Sequence, residues 1–342
     1  MSLPTTPLGR TGLDITRLGI GAWAMGGADW QGGWGHQDDR DSVAAIHHAL
    51  DLGVSWIDTA AAYGLGHAET VVGRAIAGME PDSRPLVFTK CGLVWDEGST
   101  TVRNVLAPSS IRRECSDSLS RLGVDCIDLL QIHWPSHDGT PIEESWATMA
   151  ELVDAGVVRH IGVSNFDVDL LERCEAVRHV DTVQPHLNLI AREAATSVLP
   201  WARRHQSGVI GYSPMRSGLL SGRFSHHRMS SLEDGDWRRA DADFQEPRLS
   251  RNLALVDGLR PLAEQLGCSL PELAIAWTLA IPGVSGAIVG ARRPEQVDGW
   301  IGAATVELTQ DIVAAIAAVV EETGAGDGPC LPEAEAAGLG AG

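Results

Sequence analysis

Eight times along the chain a short β-branched or apolar run gives way to a longer stretch with helical periodicity. That alternation is the strongest constraint on the fold. The runs Leu18–Ala22, Ser55–Asp58, Leu86–Thr89, Cys126–Gln131, His160–Val163, Thr182–His186, Val209–Tyr212 and Ala287–Val289 are expected strands. The intervening stretches Asp41–Leu52, Ala68–Ala77, Ser109–Leu122, Glu143–Asp154, Asp167–Glu175, Ala194–His205 and Leu253–Leu266 are expected helices, with Pro271–Ala280 and Pro294–Ile301 flanking the last strand. Pro108 before Ser109 and Gly123 after Leu122 suit a helix start and stop. This rhythm predicts an α/β chain of the single (β/α)8 TIM-barrel type. A doubly wound sheet is the competing architecture, but no G-x-G-x-x-G follows the first strand.

The whole of 1–342 is expected to be one barrel domain, with irregular structure from about residue 324. A long aperiodic loop, Pro214 to about Ser250, follows the seventh strand, and extra C-terminal helices are expected.

Composition narrows the function. At a net charge of −19, the surface repels phosphate backbones and anionic lipid, so neither nucleic acid nor a membrane is an expected partner. An anionic ligand needs cations gathered locally. No apolar segment reaches the ~20 residues of a membrane helix, and Met1 leads into a polar stretch without a leader pattern. The six cysteines form no C-x-x-C pair and read as reduced thiols, which points to the cytoplasm. The adjacent pairs His47–His48 and His226–His227 do not converge on one helix face, so no metal site is expected.

In a barrel, chemistry sits at the C-terminal ends of the strands. Asp58, Lys90 and His133 close three apolar strands, and Tyr63 lies in the loop after Asp58. Lys90 is the sole lysine among 26 basic residues, which suggests a position that guanidinium cannot serve, although a snorkelling head group would also fit. Only Tyr63 and Tyr212 are tyrosines. A nearby cation lowers a phenol pKa and makes the hydroxyl a usable general acid. Asp58 would hold the ammonium and compensate its charge; alternatively Asp58 caps its loop through Thr59 and Tyr63 packs.

The segment Asp58-Thr59-Ala60-Ala61-Ala62-Tyr63-Gly64-Leu65-Gly66-His67-Ala68-Glu69 resembles the D-T-A-x-x-Y-G-x-G-x-x-E signature of the aldo-keto reductases. Thr89-Lys90, Gln131-Ile132-His133-Trp134-Pro135 and Gly162-Val163-Ser164-Asn165-Phe166 are similar to three more motifs of that family, in family order, from about Leu8 to Trp300. The bacterial general-stress branch is resembled most, through Gly21-Ala22-Trp23-Ala24-Met25-Gly26-Gly27 and Gly290-Ala291-Arg292-Arg293-Pro294-Glu295-Gln296.

The resemblance implies an NADP(H)-dependent oxidoreductase that reduces aldehydes or ketones to alcohols, or the reverse, with Asp58, Tyr63, Lys90 and His133 as a catalytic tetrad. Tyr63 would protonate the carbonyl oxygen, Lys90 would depress the phenol pKa, and His133 would orient the substrate. It also places Ser164, Asn165 and Gln184 on the nicotinamide carboxamide, with Tyr212 stacked on the ring. Gly21, Ala22, Trp23 and Asp58 would flank the cofactor, and Ser213, Pro214, Met215, Ser217, Gly218 and Leu219 would wrap the pyrophosphate. Gly290, Arg292, Arg293 and Gln296 would reach the adenosine end. Where Trp300 falls, many members carry an Asn that contacts adenine.

Some of these readings have local alternatives. Ser164–Asn165 alone also suits a helix N-cap. Gln184 in an apolar strand needs a partner. Arg292 and Arg293 before Pro294 suit a 2′-phosphate at a helix N-terminus, or a solvated basic turn.

Trp23, Trp30, Trp34, Trp95 and Trp134 are expected to rim the mouth, and Trp23, Tyr63, Trp95, His133 and Trp134 to form a substrate pocket. Such a pocket suits hydrophobic carbonyls, and it also stacks on sugars or polyols. Two other functions compete. A Schiff-base aldolase would explain the lone Lys90, and a non-catalytic NADPH-binding regulatory subunit would share the barrel.

Overall fold

The structure, a computed structural model, describes residues 3–80, 83–136, 138–232 and 236–331. Eight parallel strands close a barrel in sequential order: β1 (Leu18–Gly21), β2 (Trp56–Asp58), β3 (Leu86–Cys91), β4 (Ile127–Ile132), β5 (Val158–Ser164), β6 (Thr182–Gln184), β7 (Gly208–Tyr212) and β8 (Val284–Gly290). All eight overlap the expected runs. Apolar side chains fill the barrel base: Leu8, Ile15, Trp56, Phe88, Leu129, Ile210 and Ile288 form one cluster, with the Trp56 and Phe88 rings stacked at 5.2 Å. Gly19 makes room for this packing. A Cβ there would lie 2.2 Å from the Trp56 ring.

The helices α1 (Asp39–Asp51), α2 (His67–Ile76), α3 (Pro108–Leu122), α4 (Ile142–Asp154), α5 (Val168–Glu175) and α6 (Val198–His205) alternate with the strands. Then come α7 (Arg248–Leu266), α8 (Leu270–Ala280), α9 (Pro294–Asp298) and α10 (Gln310–Thr323). The expected caps on α3 are present: Pro108 opens the helix and Gly123 closes it in the left-handed region at φ 67°. In α8, Ser269 and Glu272 form a reciprocal capping box. The Ser164–Asn165 pair is not a helix cap, because α5 begins with Asp167 accepting from Leu170 N at 2.9 Å.

Three features depart from the sequence reading, and an extra C-terminal helix is present as expected. An antiparallel hairpin, Thr5–Pro7 with Asp14–Thr16, precedes the barrel. The helix α10 joins the wall by packing on α7. The loop after β7 holds a short helix, His226–Ser230, and several 3-10 turns. It is pinned where Arg216 pairs with Asp241 and Asp243, each at 2.7 Å. The segment after Gly324 is docked as far as Pro329, where the buried Arg192 donates to the carbonyls of Ala325, Gly328 and Pro329. The rest of the expected irregular tail, residues 332–342, lies outside the described residues, as do Met1 and Ser2. Among the described residues no helix is long and apolar enough to cross a membrane.

Candidate active site

The C-terminal ends of β2 and β3 bring Asp58 and Lys90 together. Their backbones are one strand apart, with Asp58 in register with Phe88. Lys90 Nζ donates to Asp58 Oδ1 at 2.5 Å and to the Thr59 carbonyl at 2.9 Å, and both side chains are buried. An ammonium this deep is destabilised by desolvation. Burial lowers the Lys90 pKa and the Asp58 charge opposes that shift. On its other oxygen, Asp58 Oδ2 accepts from Gln184 Nε2 at 2.9 Å.

Tyr63 comes from the loop after β2, and its ring centroid is 5.4 Å from Lys90 Nζ. The His133 imidazole, at the end of β4, meets that ring edge-on at 5.5 Å. The tetrad suggested by the sequence is thus one cluster. Its electrostatics differ from expectation in one respect. Burial, followed by the Asp58 carboxylate, pushes the Tyr63 phenol well above its ordinary value. The phenol is thereby held protonated, the form a proton donor requires. Burial and the Lys90 charge push His133 well below its usual value, which leaves a neutral imidazole. Its Nδ1 is buried without a partner among the described residues.

Above this cluster a cavity of about 1020 Å³ runs across the barrel mouth. That is the upper end of the size of ligand pockets. Asp58, Tyr63 and Gln184 lie on its wall with Gly21, Trp23, Tyr212, Ser213, Pro214, Met215, Ser217 and Gly218. Gly290, Arg292, Arg293, Gln296 and Trp300 line it as well.

Ala22 and Leu219 are fully buried and do not face the cavity. Ser164 and Asn165 lie behind the wall with their polar atoms in use. Ser164 Oγ donates to the Gln184 carbonyl at 2.9 Å, and Asn165 Oδ1 accepts from the Tyr212 hydroxyl at 2.8 Å. Trp95 instead packs under the Arg121 guanidinium at 5.9 Å, and Trp134 is 45% exposed. Neither lines the cavity, and neither do Trp30, expected on its rim, and His133, expected in the substrate pocket.

Sequence reasoning missed the aromatic and basic residues in the distal part of the long loop. Trp237 stacks on Trp23 at 5.4 Å and meets Trp34 edge-on at 5.7 Å, while the Arg238 guanidinium sits 5.1 Å from the Trp34 ring. The polar-aromatic-basic string Asp236-Trp237-Arg238 in an otherwise aperiodic loop was the available signal. Five arginines, Arg223, Arg228, Arg238, Arg292 and Arg293, line the cavity against Asp58, Asp236 and Glu295. A chain of net charge −19 thus gathers cations at this one mouth, which fits a ligand carrying phosphates. The two expected phosphate ligands are not equivalent. Arg292 Nε donates to Gln37 Oε1 at 2.6 Å, and its other nitrogens are held by the carbonyls of Trp34 and His36. Arg293 is exposed at the cavity.

The aldo/keto reductase family matches residues 17–321. The chain belongs to the aldo/keto reductase family. The aldo-keto reductase YhdN of Bacillus subtilis (strain 168) is 38% identical over 302 residues, covering 86% of this chain and 88% of that protein. The NADH-specific methylglyoxal reductase of Escherichia coli (strain K12) is 32% identical over 314 residues, covering 89% and 94%. Among solved structures, the glycerol dehydrogenase from Gluconobacter oxydans superposes with a TM-score of 0.84 at 37% identity, covering 94% of this chain and 97% of that one. The aldo-keto reductase from Bacillus halodurans shares the fold, with a TM-score of 0.77 at 24% identity over 93% and 96% of the two chains. This family member is therefore an oxidoreductase for carbonyl or alcohol groups that works with a nicotinamide cofactor.

Proposed function

We propose that this aldo-keto reductase is NADP(H)-dependent and interconverts aldehydes or ketones with alcohols, with Tyr63 as the proton donor. The observation that carries the reading is the buried Asp58–Lys90 pair beneath Tyr63, whose ring lies on the cavity wall. A bound nicotinamide would supply hydride to the carbonyl carbon. Tyr63 holds the proton that the carbonyl oxygen needs as it gains negative charge. His133, neutral, can donate a hydrogen bond to the same oxygen. Lys90 and Asp58 fix the electrostatics beneath the phenol, so the proton leaves only when an oxyanion forms beside it.

Gln184 and Tyr212 would hold the nicotinamide end, with Ser164 and Asn165 bracing them from behind. Ser213, Met215, Ser217 and Gly218 would follow the pyrophosphate. Arg293 supports the 2′-phosphate preference, since its guanidinium reaches the cavity while that of Arg292 is engaged. Trp23, Trp34 and Trp237 favour a small substrate, and the relatives named for glycerol and methylglyoxal support a small oxygenated one. Six free cysteines support a cytoplasmic setting.

No observation favours the aldolase. Lys90 Nζ is spent on Asp58 and Thr59, and Lys90 does not line the cavity. The regulatory-subunit reading has no observation of its own. The test is Tyr63→Phe, assayed with a panel of carbonyls at the NADPH absorbance. The expected loss in kcat is ~10²–10⁴-fold with NADPH binding near wild type. A mutant keeping more than about a tenth of the rate would show that another group protonates the substrate.

A further inference from the structure

Gln131 lies on β4, two residues before His133, with no exposed surface. It contributes neither to the ion pair nor to the cavity wall. Gln184 bridges it to the catalytic pair, because Gln184 Nε2 donates to Asp58 Oδ2 at 2.9 Å and to Gln131 Oε1 at 3.2 Å. The chemistry settles which atom is which. A carboxylate only accepts, so the atom of Gln184 against Asp58 must be its nitrogen. The second hydrogen on that nitrogen requires an acceptor, which turns the Gln131 oxygen inward. Gln131 Nε2 is then left buried without a partner among the described residues. What remains of the Gln184 amide is Oε1, an acceptor on a side chain that lines the cavity.

We propose that Gln131 is a positioning residue that locks the Gln184 amide with its oxygen toward the cavity, so that the site selects a ligand group that donates an amide N–H. Without Gln131 the Gln184 nitrogen keeps its bond to Asp58, but the amide plane is free to turn about it and the aim of the oxygen is lost. The proposal rests on the dinucleotide reading of the cavity, because a nicotinamide carboxamide offers the required N–H₂.

The probes are NADP⁺ and 3-acetylpyridine adenine dinucleotide phosphate, whose acetyl group keeps the carbonyl but replaces the N–H₂ by a methyl. Both are titrated by quenching of tryptophan fluorescence into wild type, Gln131→Met and Gln131→Glu, with NAD⁺ and its acetylpyridine analogue alongside and thermal melts of each variant. Wild type is expected to prefer the carboxamide form. Gln131→Met should erode that preference by ~3–10-fold, the worth of one hydrogen bond. Gln131→Glu, whose oxygen still accepts from Gln184, should restore it. Gln131→Leu replaces the methionine variant if the latter does not fold. A folded apolar variant with the wild-type preference overturns the proposal and leaves the reductase reading intact. Wild type that binds none of the four dinucleotides overturns both.

Discussion

Lys90 Nζ and Asp58 Oδ1 lie 2.5 Å apart with side chains 0% and 3% exposed, which makes them a buried ion pair beneath the cavity floor. Two charges out of water are tolerable only as a pair. Each partner has one further hydrogen bond, Lys90 to the Thr59 carbonyl and Asp58 from Gln184.

Stability should reflect that pairing. Lys90→Met leaves the Asp58 carboxylate buried with one hydrogen bond, and Asp58→Asn leaves the ammonium without its counter-charge. Each single change is expected to cost about 3–5 kcal/mol in urea unfolding, the range for breaking a buried pair. The double variant should cost less than the sum, because it buries no charge. Additive costs would mean that the two groups are solvated independently of each other.

The pH profile of reduction separates two roles for Lys90. Burial and Asp58 raise the Tyr63 phenol, so it stays protonated beyond the ~10 of free tyrosine. His133 is lowered, so it stays neutral on the acid side down past the ~6.5 of free histidine. Both groups are then in their working forms across the neutral range. The single-turnover rate of carbonyl reduction should be level from about pH 6.5 to about pH 9. An alkaline fall with a midpoint below about pH 8.5 would assign Lys90 to acidifying the phenol after all.

Legibility differs across the molecule for physical reasons. Parallel strands buried on both faces read as continuous apolar runs, so all eight barrel strands stand out. The Thr5–Pro7 and Asp14–Thr16 strands are too short to show a period. The helix Gln310–Thr323 carries the run Ile312-Val313-Ala314-Ala315-Ile316-Ala317-Ala318-Val319-Val320, apolar all round rather than along one stripe. Asp58, Lys90 and His133 are visible because each ends a strand. Gln131 sits inside one, and its amide has meaning only beside Gln184, 53 residues away. Trp95 and Trp134 mislead because a loop tryptophan near the mouth need not turn toward it.

Cofactor preference should divide between two adjacent arginines. The Arg292 guanidinium fastens the chain at Trp34, His36 and Gln37, so Arg292→Ala loosens a wall that any dinucleotide touches. NADPH and NADH are expected to weaken together. Arg293 faces the cavity without that duty, so Arg293→Ala should weaken NADPH by roughly ten-fold or more and leave NADH nearly unchanged, the scale of one charge-assisted contact. Equal weakening of both cofactors by Arg293→Ala would remove it from the 2′-phosphate.

The sole lysine allows a direct check on burial. An amine-directed reagent can reach only Lys90 and the N-terminal amine, since the other 25 of the 26 basic residues are arginine. Nζ is held by Asp58 and Thr59 with its side chain fully covered, so it must be uncovered by an opening of the barrel before it reacts. Reductive methylation of the native protein should label the N-terminus alone and leave carbonyl reduction intact. With increasing urea, Lys90 methylation should appear along the same slope as global unfolding, because the barrel strands that enclose it open only together. Mass spectrometry of proteolytic fragments locates the label. Rapid modification of Lys90 in buffer without denaturant would show an amine open to small carbonyl compounds. The buried-pair geometry would then be wrong, and the Schiff-base aldolase would become the stronger reading of this site.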